Sequence, residues 1–399
     1  MTPIKLFYLI TTYILLSQVS IANTIYFYES EKTDSFPKLL LDSIYIKSNL
    51  RFKLFLEPIS EMPLFNPIDG FLVQTKLGIN FNNNKKYSVL IRPRYAFNRK
   101  KLYAEGEMSG FFHKGKAYST FFNFSVGNFL NQLNEPFRKN EQIIALINVT
   151  EAKNPLLFVE NKFWKFQITQ SFLSNISFMA STEHLNRTYL DNFSFKRFNF
   201  SSNQPLGQFN INDISFIQTL AFYYSTYFSI TYKKGIKGFR KSESDFDFIQ
   251  LNISNSIKWE NKNRFDFSFI SGRFLRNNYI HFNNFYHFPT GKTLKAYNPV
   301  ISTFRLLDYY KFSTNNYFHR FHVQTQFDQF LLSRLAFFKK RKILENLFIN
   351  IAFTESLNPF IEAGYAIDQL FKTFRLEIVT GRFEGKWLGP RIILGPVSF

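Results

Sequence analysis

The chain of 399 residues contains no cysteine, which excludes disulfides and thiolate metal sites. It is short of acids, with 29 Asp plus Glu against 49 Lys plus Arg, a formal net charge of +20. It also lacks long apolar runs. After the first 22 residues nothing approaches the ~20 apolar residues that a membrane-spanning helix requires, and the mean hydropathy is −0.17. No HExxH, no compact Asp cluster and no Gly-x-Ser-x-Gly occurs, nor any Ser/His/acid grouping at recognisable spacing. Gly291-Lys292-Thr293 resembles the end of a phosphate loop, but Tyr286 stands at the upstream glycine position. No catalytic, cofactor or metal residue is therefore assigned.

What the chain does have is alternation. In 71–81, Phe71, Val73, Thr75, Leu77, Ile79 and Phe81 share one face, and Leu72, Gln74, Lys76, Gly78 and Asn80 share the other. Successive side chains of a strand point to opposite faces, so this is one strand with an apolar and a polar side. Its length suits a tilted strand crossing a bilayer. Without apolar helices, a chain in lipid satisfies its backbone only as a closed barrel. The 54 Phe, 21 Tyr and 3 Trp, 20% of the chain, suit a lipid-facing wall with aromatic girdles.

The N-terminus reads as a signal peptide over 1–22, with Lys5 before an apolar Leu6–Leu16 and small residues at Ser20-Ile21-Ala22, giving cleavage near Ala22. Residues 23–42 read as an N-terminal tail and 43–399 as the barrel. At roughly 24 residues per strand with its turn, about 16 antiparallel strands are expected, within roughly 12 to 18. Phe399 is the aromatic last residue of the barrel. The expected location is the outer membrane of a double-membrane bacterium, reached through barrel-insertion machinery. The tail is too short for a plug domain, so an energised transporter is not expected.

The basic residues cluster at turns, as in Asn98-Arg99-Lys100-Lys101 and Phe338-Lys339-Lys340-Arg341-Lys342. Membrane lipid and lipopolysaccharide, not nucleic acid, are the expected partners. An AT-rich genome accounts equally well for the Lys, Asn, Ile and Phe content.

A turn centred on Asn84 pairs Phe81 with Tyr87 and Lys76 with Arg92. Pro93 cannot donate to a ladder, so a bulge is expected there. A turn at 98–101 sets Arg94 opposite Glu105 and Arg92 opposite Glu107. Lys76, Arg92, Arg94, Glu105 and Glu107 then form an inward-facing charge ladder. Such a ladder is either a charged pore wall or a salt-bridge network in a filled lumen. Tyr103 and Phe111 on the same face favour the network. Further strands are expected at 118–126, 142–150, 163–173, 176–182, 214–221, 225–233, 246–257, 265–271, 301–312, 317–327, 347–354, 361–367, 373–380 and 390–398. His319 and His322 face opposite sides and cannot share an ion.

Several segments resemble a family of uncharacterised bacterial outer-membrane barrels whose longer members carry an N-terminal carboxypeptidase-regulatory-like domain, a domain absent here. Phe65-Asn66-Pro67-Ile68-Asp69-Gly70-Phe71 is similar to a family Phe-Asn-x-Val-Glu-Gly segment, with Asp69 in place of Glu. Arg94-Tyr95-Ala96-Phe97 looks like its turn entry. Phe330-Leu331-Leu332-Ser333-Arg334-Leu335 with Lys339–Lys342 resembles Phe-Leu-Leu-Asn-Lys-Ile-Pro-Leu-Leu-Lys-Lys-Leu, without the proline. Glu362-Ala363-Gly364-Tyr365-Ala366-Ile367 and Phe374-Arg375-Leu376-Glu377 look like near-terminal strands. The resemblance implies a barrel distantly similar to surface-antigen and assembly-factor proteins, and no catalytic residue. A non-enzymatic protein of envelope assembly, export or maintenance is expected. The alternatives are a passive channel for small polar solutes and a lipid-modifying barrel enzyme, which would need a wall-facing Ser or Asp near His184 or His319.

Overall fold

The computed structural model describes residues 44–47, 52–56, 64–66, 68–81, 87–115, 118–132, 157–172, 175–190, 210–259, 263–290, 303–328, 330–335, 343–357, 359–370 and 374–396. The signal peptide, the N-terminal tail, the strand expected at 142–150 and Phe399 lie outside the described residues.

Among the described residues, nineteen strand segments follow one another. They begin with β1 (Ile44–Lys47), β2 (Phe52–Leu56), β3 (Leu64–Asn66), β4 (Gly70–Gln74), β5 (Leu77–Phe81) and β6 (Tyr87–Ala96). Next come β7 (Lys101–Lys114), β8 (Tyr118–Gln132), β9 (Phe158–Phe172), β10 (Ile176–Tyr189), β11 (Asn210–Tyr223), β12 (Thr226–Gly235) and β13 (Asp245–Trp259). The series ends with β14 (Asn263–Tyr279), β15 (Tyr317–Phe327), β16 (Leu344–Thr354), β17 (Phe360–Leu370), β18 (Phe374–Phe383) and β19 (Lys386–Pro396).

From β5 to β19 each strand pairs antiparallel with the next. β2 and β3 both flank the β4/β5 strand, and β1 pairs with β2. With β2/β3 and β4/β5 counted as interrupted strands and β1 as a stub, the meander has sixteen strands. Among the described residues, no ladder joins β19 to β1 or β2.

Contacts across the interior show that the sheet is curled. Leu157, just before β9, donates its N–H to the Tyr310 hydroxyl at 3.2 Å, while Arg305 pairs with Glu377 of β18 at 2.8 Å. In a flat sheet β9 and β18 lie nine spacings, or ~43 Å, apart. The five residues from Arg305 to Tyr310 span at most ~17 Å. The sheet therefore wraps around this segment in a barrel. Its outer face exposes Phe71, Ile91, Leu102, Val126, Ile349, Ile378 and Ile392, while its inner face buries polar residues such as Asn350, Glu362 and Glu377. This is the reverse of a soluble domain and the arrangement of a membrane barrel.

Three expectations are corrected. Residues 303–312 are not a strand but part of the connection after β14, whose described stretches 280–290 and 303–316 pack inside the barrel, with Phe304, Arg305 and Leu307 sealed from water. The β6–β7 turn is 97–100 instead of 98–101, which shifts the register by two: Ala96 pairs with Lys101 and Arg92 with Glu105. The Phe97 N–H is committed to the Phe71 carbonyl, and Lys100, at φ 50°, closes the turn onto the Phe97 carbonyl, so Phe97 cannot extend the hairpin. The irregularity expected at Pro93 falls on its partner. β6 runs straight through Pro93, which accepts from the Thr75 N–H but returns nothing to Thr75, and the ladder breaks there between β4 and β5.

Two inward glycines accommodate aromatic rings on an adjacent strand. A Cβ on Gly272 would lie 2.5 Å from the Phe318 ring, and one on Gly364 would overlap Phe348. Tyr286 of the inner segment stacks on Phe318 with ring centroids 3.3 Å apart. Gly364→Ala is expected to displace Phe348 and cost about 1–3 kcal/mol, seen as a lower urea midpoint of the folded, heat-modifiable band. Phe348→Ala should cost more, about 3–5 kcal/mol.

Candidate functional site in the barrel interior

The inner segment is gripped at three points. The first is its start, where the Asn284 amide donates to Asp213 of β11 at 3.1 Å and to the Ser244 hydroxyl at 3.3 Å. Arg187 of β10 pairs with Asp213 and donates to Asn284 at 3.2 Å. His281 sits beside Glu243 (3.3 Å) and Asp213 (3.9 Å). Burial pushes its pKa down to about 4 against the pull of Glu243. His287, bonded to Ser313 at 2.7 Å, is pushed by burial to about 3.

The second grip is apolar, beside a bridge internal to the segment in which Tyr286 and Thr314 exchange backbone hydrogen bonds of 2.8 and 3.1 Å. Apolar packing continues from it. Phe288, Phe304, Leu306 and Leu307 form one core with Phe318, Phe348, Phe360, Val379 and Ile393 of the wall.

The third grip carries the charge. The Glu362 carboxylate on β17 accepts the backbone N–H of Arg305 at 2.8 and 2.9 Å and that of Leu306 at 2.8 Å. The Arg305 guanidinium donates to Glu377 on β18 through Nε at 2.8 Å and Nη2 at 3.3 Å, and to the Thr303 carbonyl at 3.3 Å. Glu377 also accepts from Arg375 at 2.6 Å, and Arg375 donates to both oxygens of Asp368 at 2.8 Å. Asn350 donates to Glu362 at 2.8 Å and bonds His322 at 2.9 Å. Burial opposes the charge on Arg305, but Glu377 more than offsets it and holds the guanidinium pKa above its ordinary value. Two guanidiniums and three carboxyls are thus buried together. Such ions persist only when paired and hydrogen-bonded, and of these groups Arg375 Nη2 alone is buried without a hydrogen-bond partner.

The charged residues expected on one face do share the side opposite exposed Phe71, Ile91 and Leu102, but they lie apart from this grip. Arg92 pairs with Glu105 at 3.0 Å and Glu107 at 3.3 Å, and Arg94, opposite Tyr103 in the ladder, donates to Gln74 at 2.9 Å. Lys76 is half-buried at the β4–β5 break. Near this region, buried Asp69 accepts from the Tyr103 hydroxyl at 3.0 Å, Arg99 donates to Tyr103 at 2.6 Å and to Glu160 at 2.9 Å, and Lys101 also pairs with Glu160. The Asp69-Gly70 motif is thereby explained. Gly70 has φ +68°, and a Cβ there would stand 2.9 Å from Asn98. On the outer face, Ser271 and His319 are bonded at 2.9 Å. Among the described residues, no cluster of His, Asp and Glu is arranged for a metal ion.

Arg305, Glu362, Glu377, Arg375 and Asp368 were not singled out from the sequence. Glu362 and Glu377 alternate with apolar residues in expected strands, which is the signal for functional acids inside a barrel. Their partner was hidden because 301–312 also reads as a strand.

These features define a sixteen-stranded antiparallel barrel stoppered by its own chain. The chain belongs to the family described as a family of unknown function (DUF5686), C-terminal domain, whose model matches residues 37–231 and 223–367. Among solved structures it is similar to BamA from Haemophilus ducreyi lacking POTRA domains 1–3, at 10% identity and TM-score 0.49, covering 88% of this chain and 71% of that one. It is also similar to CdiB from Acinetobacter baumannii, at 10% identity and TM-score 0.41, covering 84% of this chain and 58% of that one. No curated protein matches it.

Arg305→Ala would leave Glu377 held by Arg375 alone and should weaken docking of the inner segment by about 1–3 kcal/mol. Limited proteolysis should then cut between 280 and 316, and Arg305→Lys should not restore protection, because the two-pronged geometry is lost. Acid should have a similar effect. His281 and His287 have folded pKa values below the unfolded value of ~6.5, so their contribution is full above that pH and is lost as pH falls toward 4 and 3. Protease sensitivity of the segment should rise between pH 7.5 and 5.

Proposed function

We propose that this protein is a non-enzymatic outer-membrane barrel of a double-membrane bacterium, working in envelope assembly, export or maintenance. The exposed apolar outer face and inward polar face support a membrane location. The observation that carries the functional reading is the Arg305 grip. A lumen occupied by buried chain, fixed by Glu362 and Glu377, is poorly suited to free diffusion of solutes. A barrel of this kind acts through its rim, its wall or a controlled release of the inner segment. Lipid and lipopolysaccharide surround it, and insertion machinery delivers it.

A second reading, a passive channel, is favoured by one observation: Arg92, Glu105 and Glu107 remain about one-third exposed beyond the stoppered half. A third, lipid modification at the wall, draws on the Ser271–His319 pair, although no described acid bonds the other nitrogen of His319.

Planar-bilayer recordings separate the first two. Wild-type protein should show low, intermittent conductance and Arg305→Ala larger, more frequent openings. Large stable conductance from wild type would sink the stoppered reading. A deletion strain should be detergent-sensitive, complemented by wild type and Ser271→Ala but not by Arg305→Ala. Failure of Ser271→Ala to complement would favour the enzyme.

A further inference from the structure

The connections between strands fall into two sets. On one side they are 97–100, 133–157, 190–209, 236–244, 280–316, 355–359 and 384–385, four of them long. On the other they are 82–86, 115–117, 173–175, 224–225, 260–262, 371–373 and 328–343, of which only the last exceeds five residues. Membrane barrels place short turns in the periplasm and long loops outside. The 328–343 connection is thus the one long excursion at the periplasmic rim.

Part of it is fixed to the outer wall. The Glu345 side chain lies on the face of β16 that also carries exposed Leu347 and Ile349, yet it is fully buried. Its carboxylate accepts the backbone N–H of Phe330 at 3.1 Å, Leu331 at 3.0 Å and Leu332 at 2.9 Å, together with the Tyr365 hydroxyl. Phe330 stacks on Phe327 with ring centroids 4.8 Å apart. A short 3-10 turn, Leu332–Arg334, follows. It leaves Leu331 and Leu335 more than half exposed with Arg334 between them. In sequence, Lys339, Lys340, Arg341 and Lys342 come next.

We propose that Phe330–Leu335 is a membrane-interface anchor, in which Leu331 and Leu335 enter the periplasmic leaflet and Arg334 meets a phospholipid phosphate. The segment lies on the lipid-facing flank, at the rim, with apolar and cationic groups in the order that headgroups and acyl chains demand. An acid on that flank is costly unless satisfied, and here it orders the backbone that presents the two leucines.

The inference rests on the outer-membrane reading, and the test separates the two. Because the chain has no cysteine, single-cysteine variants take one environment-sensitive fluorophore each. Leu335→Cys, Ile349→Cys on the wall and Glu384→Cys at a β18–β19 turn are labelled in full-length protein in phosphatidylethanolamine/phosphatidylglycerol vesicles. Quenching by brominated lipid at 335 should approach that at 349 and exceed that at 384 several-fold. Adding Glu345→Ala should move 335 toward the value at 384. Aqueous quenching at 335 equal to that at 384, with 349 lipid-quenched, overturns the anchor and leaves the barrel standing. Shielding of 335 from both quenchers means a protein surface covers it and also overturns the anchor. Water access at 349 overturns the membrane reading itself.

Discussion

An arginine sealed inside a barrel has to be matched before the chain that carries it can be there at all. Moving one such ion out of water costs several kcal/mol even after relaxation, and an attraction to a nearby carboxylate repays that only with good geometry and no spare polar atoms. Arg305 meets these terms through two strands at once. Glu377 takes its side chain, and Glu362 takes the backbone beneath it. Neither acid stands alone. Arg375 and Asp368 extend the first, and Asn350 and His322 extend the second. The position of the inner segment, the polar character of β15 to β18, and the placement of aromatic rings around the tip all depend on this match.

That dependence divides the interior. On the β14–β19 side, Phe304, Leu306 and Leu307 build an apolar core against wall residues, so the lumen there is packed like a soluble domain. Phe318 and Phe348 reach into this core by lying over Gly272 and Gly364 of neighbouring strands. On the β5–β8 side the inward residues are Arg92, Glu105, Glu107 and Asn123, joined in a network that is still partly wet. One half of the barrel is closed by burial and the other is lined by ion pairs.

Period-two alternation was enough to read β5 to β8 and β15 from sequence, because each strand exposes one face to an apolar surrounding and a slip of one residue would invert it. The pairing of Phe81 with Tyr87 is observed as expected. A slip of two residues leaves the parity unchanged, which is why the β6–β7 register escaped. It was decided by the Phe97 N–H bonding to Phe71 on the neighbouring strand, a contact between residues far apart in the chain. Residues 303–312 misled for a related reason. Chain buried in a lumen alternates between apolar packing and polar grips much as a strand does, and periodicity reports only that two environments alternate. The grip itself was invisible because its partners are 57 and 72 residues apart.

The scarcity of acids, first seen as a count, takes on a structural meaning through their positions. Glu362 holds the inner segment by backbone N–H groups on the lumenal face, and Glu345 holds 330–332 by the same kind of bond on the outer face. Asp213 fastens the start of the inner segment, and Asp69 and Glu160 fasten the β6–β7 turn. Irregular chain beside a membrane wall has backbone donors that neither lipid nor a ladder can satisfy. A carboxylate on a rigid strand, with two acceptor oxygens, answers several of them at once. In a chain of net charge +20, acids so placed act as fasteners for non-strand segments. Part of the basic excess is gathered in short runs of sequence, Asn98-Arg99-Lys100-Lys101 and Phe338-Lys339-Lys340-Arg341-Lys342.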